Sequence, residues 1–282
     1  MRRFLRLTTT IALLAVPLAA TGQQPPLVAL PPAINVPKEV SFFEYPCIRV
    51  TGLQPMIPIT IRATAMDMTG ATFTSSARFV PHADGVVDTT KAIANGAYTG
   101  IDPMGLFWSL DGKGAFQPPI AGTIETTIDV LDESGQTIAS SKLQRRMIPV
   151  DVQVTELRRP DSQLVGRFYE HTGTKRAAIL AITGSNGGID KRMAPFLASG
   201  GYNVLSLAYY HFEGVWPDLI EIPLEYFQSA LQWLSHQPSV DGHRVGIVGV
   251  SKGSEAALLT ASYFPDLVHA VGAIVPTAFV WE

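Results

Sequence analysis

Gly249-Val250-Ser251-Lys252-Gly253 sets a serine between two glycines where an apolar run gives way to helical composition. A serine hydroxyl is a weak nucleophile until a base takes its proton and donors receive the charge that develops on the substrate oxygen. A Gly-x-Ser-x-Gly turn serves this chemistry when it joins a strand to a helix. It then lifts the serine above the sheet and aims the next backbone N–H at the oxyanion. The five residues alone are a weak signal, so the flanks must agree. Arg244-Val245-Gly246-Ile247-Val248 reads as a buried strand and 252–264 as a helix. Ser251 is therefore the candidate nucleophile, and the N–H of Lys252 a candidate oxyanion donor. The competing account is a glycine-rich turn in an ordinary α/β sheet.

A second donor is expected from the loop after the third strand of such a sheet, here Gly184-Ser185-Asn186-Gly187-Gly188. Small residues suit a backbone that must approach substrate closely. The N–H of Ser185 or of Asn186 fits the role. The loop lacks the Gly-Lys-Ser/Thr ending of a phosphate-binding loop and the Gly-x-Gly-x-x-Gly spacing of a dinucleotide site.

These residues need a scaffold, and the chain divides in two. Over 27–145 short β-type runs alternate with turn residues: 40–43, 59–65, 72–79 and 123–130. In the second of these, Ile59, Ile61, Ala63 and Ala65 share one face, as a half-buried strand requires. No long helical period appears. The spacing predicts a β-sandwich, and about seven strands would suit an immunoglobulin-like form without its cysteine pair. Over 150–282 strands alternate with helices. Strands are expected at 151–157, 164–169, 177–183, 203–209, 244–248 and 268–275, and helices at 190–199, from Pro223 onward, and at 252–264. That alternation predicts a mostly parallel sheet with right-handed crossovers, an α/β-hydrolase-type domain ending at its sixth strand.

Composition narrows the function. The formal net charge is −3, with no basic footprint for nucleic acid. A single cysteine, Cys47, rules out an intrachain disulfide and a cysteine-rich zinc site. At the N-terminus Arg2, Arg3 and Arg6 precede an apolar run over 11–20, followed by Ala20-Thr21-Gly22. This is the form of a signal peptide over 1–22, too short to remain as a membrane anchor. A secreted or periplasmic protein is expected.

Several motifs together resemble the acyl-CoA thioesterases related to bile acid-CoA:amino acid N-acyltransferase. They are 100–109 (GIDPMGLFWS), 207–210 (LAYY), 223–227 (PLEYF) and the turn at 249–253. The resemblance covers nearly all of the chain after the leader and implies a β-sandwich followed by an α/β-hydrolase domain. It implies hydrolysis of a small-molecule acyl thioester or ester through an acyl-enzyme, with no metal or organic cofactor. Serine at 251, where the acyltransferase has cysteine, tilts the resemblance towards hydrolysis over acyl transfer. The leader departs from it, because acyl-CoA is not an expected extracytoplasmic metabolite.

The family's triad order of Ser, Asp and His places both partners beyond the sixth strand, where this chain offers neither. The chain is therefore expected to be catalytically incomplete, and a non-catalytic hydrolase-fold binding or structural protein is the alternative. His269 and Asp266 fall at the opposite end of the sheet from Ser251. His211 follows a strand's C-terminal end and is a candidate pocket residue. Asp102 and Trp108 are expected to fix a turn and the packing between domains, and Phe227 and Trp233 to be core.

The leader generates the first prediction. Chain made in a bacterial host should be recovered with its N-terminus at or near Gln23. N-terminal sequencing checks this, and an unprocessed chain in the cytosol contradicts it.

Overall fold

Alternation in sequence becomes alternation in burial in the first half of the molecule. A computed structural model describes residues 31–159 and 162–277; the leader at 1–22 lies outside the described residues. From the strand Ile59–Met66 the side chains of Ile59, Ile61, Ala63 and Ala65 turn inward. Thr72–Phe79 buries Phe73, Ser75, Ala77 and Phe79 in the same way. These two strands and the longer Thr123–Leu131 and Thr137–Arg146 form the centre of an eight-stranded sheet. Short strands extend it at Glu39–Ser41, Ala94–Gly96, Thr99–Gly100 and Asp111–Gly112. A three-stranded antiparallel sheet, Ala33–Asn35, Arg49–Thr51 and Val87–Asp88, shares its core. Val50 and Val87 from the small sheet meet Ile61, Ile128, Val130 and Leu143 from the large one.

This sandwich differs in detail from the seven strands expected. Four strands of eight to ten residues make its body, and its other strands are two or three residues long. Thr137–Arg146 gives little signal in sequence because its residues are mostly polar, and only Leu143 and Arg145 are buried.

Arg145 binds the sandwich motif to the rest of the molecule. Its side chain is buried, with an Nη2 that donates to the carbonyl of Phe42 at 2.6 Å. The guanidinium lies 4.3 Å from the ring centroid of Phe42 and 4.7 Å from that of Phe107. Burial pushes its pKa down to about 10, so the charge persists at neutral pH and two aromatic faces supply its counter-field. Phe107 is delivered by the helical turn Gly105–Trp108. Asp102 fixes that turn by accepting the N–H of Met104 and the indole N–H of Trp108, both at 2.8 Å. The turn-fixing role expected of Asp102 and Trp108 is therefore present. The domain-packing role is not, because Trp108 is 61% exposed. Packing onto the second half falls instead to Phe42 and Phe43, whose rings lie 5.7 and 4.2 Å from that of Phe196.

The second half is an α/β-hydrolase fold. Its strands, numbered in chain order within this sheet, are β1 Val152–Leu157, β2 Gly166–His171, β3 Arg176–Ile182, β4 Asn203–Leu207, β5 Val240–Val250 and β6 Ala270–Ile274. They lie in the order β1-β2-β4-β3-β5-β6. The first two junctions are antiparallel and the rest parallel. Helix α1, Met193–Ser199, packs on one face with Tyr169, Ala181 and Val204. Helices α2, Leu224–Ser235, and α3, Lys252–Tyr263, go with Leu180, Ile182, Leu205 and Ile247 to the other core. Phe227 and Leu231 fill that core, and Trp233 meets Phe168 edge-on at 5.2 Å.

Two helix starts differ from the sequence expectation. Helix α1 begins at Met193, not 190, because the carboxylate of Asp190 accepts the N–H groups of Arg192, Met193 and Ala194 and so caps the helix from outside. Pro223 is extended, with ψ 130°, and precedes α2 rather than opening it.

Gly105 supplies a prediction about the sandwich motif. A Cβ there would lie 2.2 Å from the ring of Tyr98, which is itself buried. Gly105→Ala should lower unfolding free energy by about 1–3 kcal/mol through overpacking. Urea denaturation measures it, and an unchanged midpoint contradicts the clamp of Tyr98 on Gly105.

Candidate active site

Strand β5 runs into helix α3 through one residue, Ser251. Its backbone has φ 52° and ψ −120°, a conformation that non-glycine residues rarely adopt and that costs about 1–3 kcal/mol. Local bonds hold it there. The N–H of Ser251 donates to the carbonyl of Ile274 on β6 at 2.9 Å, and its own carbonyl accepts the N–H of Ser254 at 2.8 Å. The hydroxyl of Ser254 lies 2.8 Å from the Gly249 carbonyl and 2.7 Å from that of Ile274.

The flanking glycines are needed for close approach. A Cβ on Gly249 would fall 2.0 Å from the carbonyl oxygen of Gly253, and one on Gly253 would fall 2.2 Å from that of Thr183. Both obstacles are backbone, so no side-chain rearrangement makes room. Register places the turn at the C-terminal edge of the sheet, since Gly249 pairs with Ile182 on one side and Ala273 on the other. The N–H of Lys252 opens α3, where the helix dipole favours negative charge.

The loop after β3 abuts this turn. A Cβ on Gly184 would sit 3.0 Å from Cβ of Ser251 and 2.9 Å from the Val250 carbonyl. Gly187 closes a turn back onto the Gly184 carbonyl at 3.1 Å. Ser185 and Asn186 project at its tip, exposed to solvent. Gly187 and Gly188 have φ 62° and 71°.

Two tyrosines hold the loop from below, an arrangement that motif reading did not foresee, and a third holds the strand exit that carries them. The hydroxyl of Tyr209 donates to the Thr183 carbonyl at 2.9 Å and that of Tyr210 to the Gly184 carbonyl at 3.0 Å. The hydroxyl of Tyr226 donates to the Ala208 carbonyl at 3.0 Å and accepts the N–H of Val165 at 3.1 Å. Burial pushes the pKa of all three upward, so they remain neutral donors. The signal in sequence was a tyrosine pair directly after an apolar strand, a position from which hydroxyls reach the neighbouring strand exit.

The other candidates separate clearly. His211 stands on the active face, with φ 50° and its Cβ against Gly187, but it is exposed and lines none of the described cavities. The cavity described beside it is walled by residues that include Phe212, Glu213, Gly214, Ile189 and Val165. His269 precedes β6, exposed, and its N–H bonds the Val245 carbonyl at 2.8 Å. It is thus at the N-terminal end of β6, away from the C-terminal edge that carries Ser251, and Asp266 precedes it. His171 is buried between the carboxylate of Asp151 at 2.8 Å and the carbonyl of Ala198 at 2.9 Å. Among the described residues no histidine ring is hydrogen-bonded to Ser251, and no helix is long and apolar enough to cross a membrane.

With this geometry in place, comparison with known proteins is informative. Residues 44–159 match the acyl-CoA thioester hydrolase/BAAT N-terminal region, and residues 222–282 match the BAAT/acyl-CoA thioester hydrolase C-terminal region. Human mitochondrial acyl-coenzyme A thioesterase 2 is 32% identical over 238 residues, covering 79% of this chain and 48% of its own. Mouse acyl-coenzyme A thioesterase 6 is 30% identical over 233 residues, covering 79% and 55%. The chain spans about half the length of the curated relatives it matches. Among solved structures, the carboxylesterase EstE1 aligns at 18% identity and a TM-score of 0.39, over 48% of this chain and 50% of that one. The α/β hydrolase MGS-M1 aligns at 19% and 0.40, over 47% and 60%. The two matched regions fall on the sandwich and on the segment that carries the Ser251 turn, and the chain belongs to the acyl-CoA thioester hydrolase/BAAT family.

Proposed function

We propose that this chain supplies the nucleophile of an acyl thioester or ester hydrolase of the acyl-CoA thioesterase type. The observation that carries the proposal is the backbone of Ser251, at φ 52° and ψ −120° on the β5–α3 joint, in a chain of this family. In the proposed reaction Oγ of Ser251 attacks the acyl carbonyl carbon while its proton passes to a base. The C–S or C–O bond breaks, and the thiol or alcohol leaves with a proton. Water then attacks the acyl-serine ester, releases the acid and restores the hydroxyl. The N–H of Lys252, with that of Ser185 or Asn186, receives the oxyanion. Serine rather than cysteine favours water over amines as acceptor, because an oxygen ester is less prone to aminolysis than a thioester. No metal or organic cofactor enters the proposal.

We also propose, from the leader at 1–22, that the protein works outside the cytoplasm, on an ester or thioester available there. One observation favours a second reading, a hydrolase-fold binding protein without turnover: no histidine ring is bonded to Ser251 among the described residues.

A fluorophosphonate probe decides between the two. Intact mass should show one adduct on the wild-type chain and none on Ser251→Ala, and in a chain extended to a complete hydrolase domain turnover should fall by about 10⁶-fold in that variant. Labelled Ser251→Ala protein rejects the nucleophile, and an unlabelled wild-type chain supports the binding reading. Ser251→Cys should raise transfer to amines relative to water.

A further inference from the structure

One buried ionisable group near Ser251 has no part in the chemistry above. Glu255 lies in the first turn of α3, which Ser251 immediately precedes. It is only 6% exposed. Burying a carboxylate is unfavourable unless partners replace its water, so its partners set local geometry. Nζ of Lys252 donates to it at 3.1 Å, and the hydroxyl of Thr277 donates to its other oxygen.

Both partners sit on backbone that borders the nucleophile. Lys252 follows Ser251 directly and carries the proposed oxyanion N–H. Thr277 lies on the segment that leaves β6, and between the two is Val275 with φ 48°. A β-branched residue in that region is a rare outlier. Such strain persists only where the surroundings over-determine it. Here the Ile274 carbonyl takes the N–H of Ser251 on the inner side, and the Thr277–Glu255 bond closes the outer side. Two strained residues, Ser251 and Val275, are thus held by one set of bonds.

We propose that Glu255 is a positioning residue that holds Lys252 and the β6 exit around Ser251, keeping the nucleophile and its oxyanion N–H in reactive geometry. Its consequence for reactivity rests on Ser251 being the nucleophile, but the positioning itself does not. A carboxylate placed merely to favour the helix N-terminus would stabilise α3 through its charge. A positioning carboxylate acts through its hydrogen bonds, and glutamine keeps both contacts, its Oε1 accepting from Lys252 and its Nε2 donating to the Thr277 hydroxyl.

The test uses the full chain with Glu255→Ala, Glu255→Gln and Thr277→Val, read by backbone hydrogen exchange at 251–254 and at Val275 and Thr277 and by fluorophosphonate labelling kinetics. Exchange should accelerate about tenfold or more in Glu255→Ala and Thr277→Val. The maximal labelling rate should drop about 10- to 100-fold with unchanged probe affinity, as expected for a small misplacement of reacting groups. Glu255→Gln should stay close to wild type in both. Unchanged exchange in Glu255→Ala and Thr277→Val overturns the proposal, as does a glutamine variant as impaired as alanine. If Glu255→Ala fails to fold, Thr277→Val carries the same test, since it removes one hydroxyl and keeps the shape. A wild-type chain that is never labelled refutes the nucleophile and leaves exchange to decide the positioning.

Discussion

The distance between helix α3 and the sheet governs the candidate site, and backbone contact sets it. Gly253 brings the first turn of α3 onto the exit of β3, Gly249 brings the end of β5 under that turn, and Gly184 lays the next loop against Ser251. A methyl group at either of the first two would meet a carbonyl oxygen at 2.2 Å or less. Close packing of this kind fixes where the helix N-terminus points and forces Ser251 into its positive φ. The strain at one residue is thus the local consequence of a contact between three segments.

The tyrosines and Arg145 extend that constraint outward. Tyr209 and Tyr210 tie the exits of β3 and β4 together through backbone carbonyls, and Tyr226 ties the β4 exit to α2, which lets a loop rich in glycine keep one shape. From the other side, Arg145, its guanidinium against the rings of Phe42 and Phe107, holds the Phe42 carbonyl, and Phe42 and Phe43 seat on Phe196 of α1. Helix α1 begins where the loop after β3 ends. A chain of packed side chains therefore leads from the 100–109 motif of the sandwich, through Arg145, to the helix beside the site. This gives a physical role to a motif that touches neither Ser251 nor its loop.

Local pattern was sufficient where one interaction type dominated. The inward alternation of Ile59, Ile61, Ala63 and Ala65, the apolar run of β3 and the helical face of Phe227 and Leu231 all bury as read, because hydrophobic burial alone decides them. The Gly-x-Ser-x-Gly spacing between strand and helix composition was enough to put Ser251 on a joint. Where a polar side chain overrides the pattern, the reading drifted. Asp190 moved the start of α1 by capping it, and Arg145 sits buried in a strand whose composition is mostly polar.

By itself the sequence determined the class of each half, the family, and which serine the sheet would present, since these depend on periodicity, spacing and residue type along the chain. Only the tertiary structure decided which groups meet. That Gly253 contacts Thr183, that Tyr210 reaches Gly184, and that Glu255 joins Lys252 to Thr277 are facts of three-dimensional approach. They follow from crossovers that bring the exits of β3, β4, β5 and β6 to one edge, and no local propensity encodes which partners share that edge.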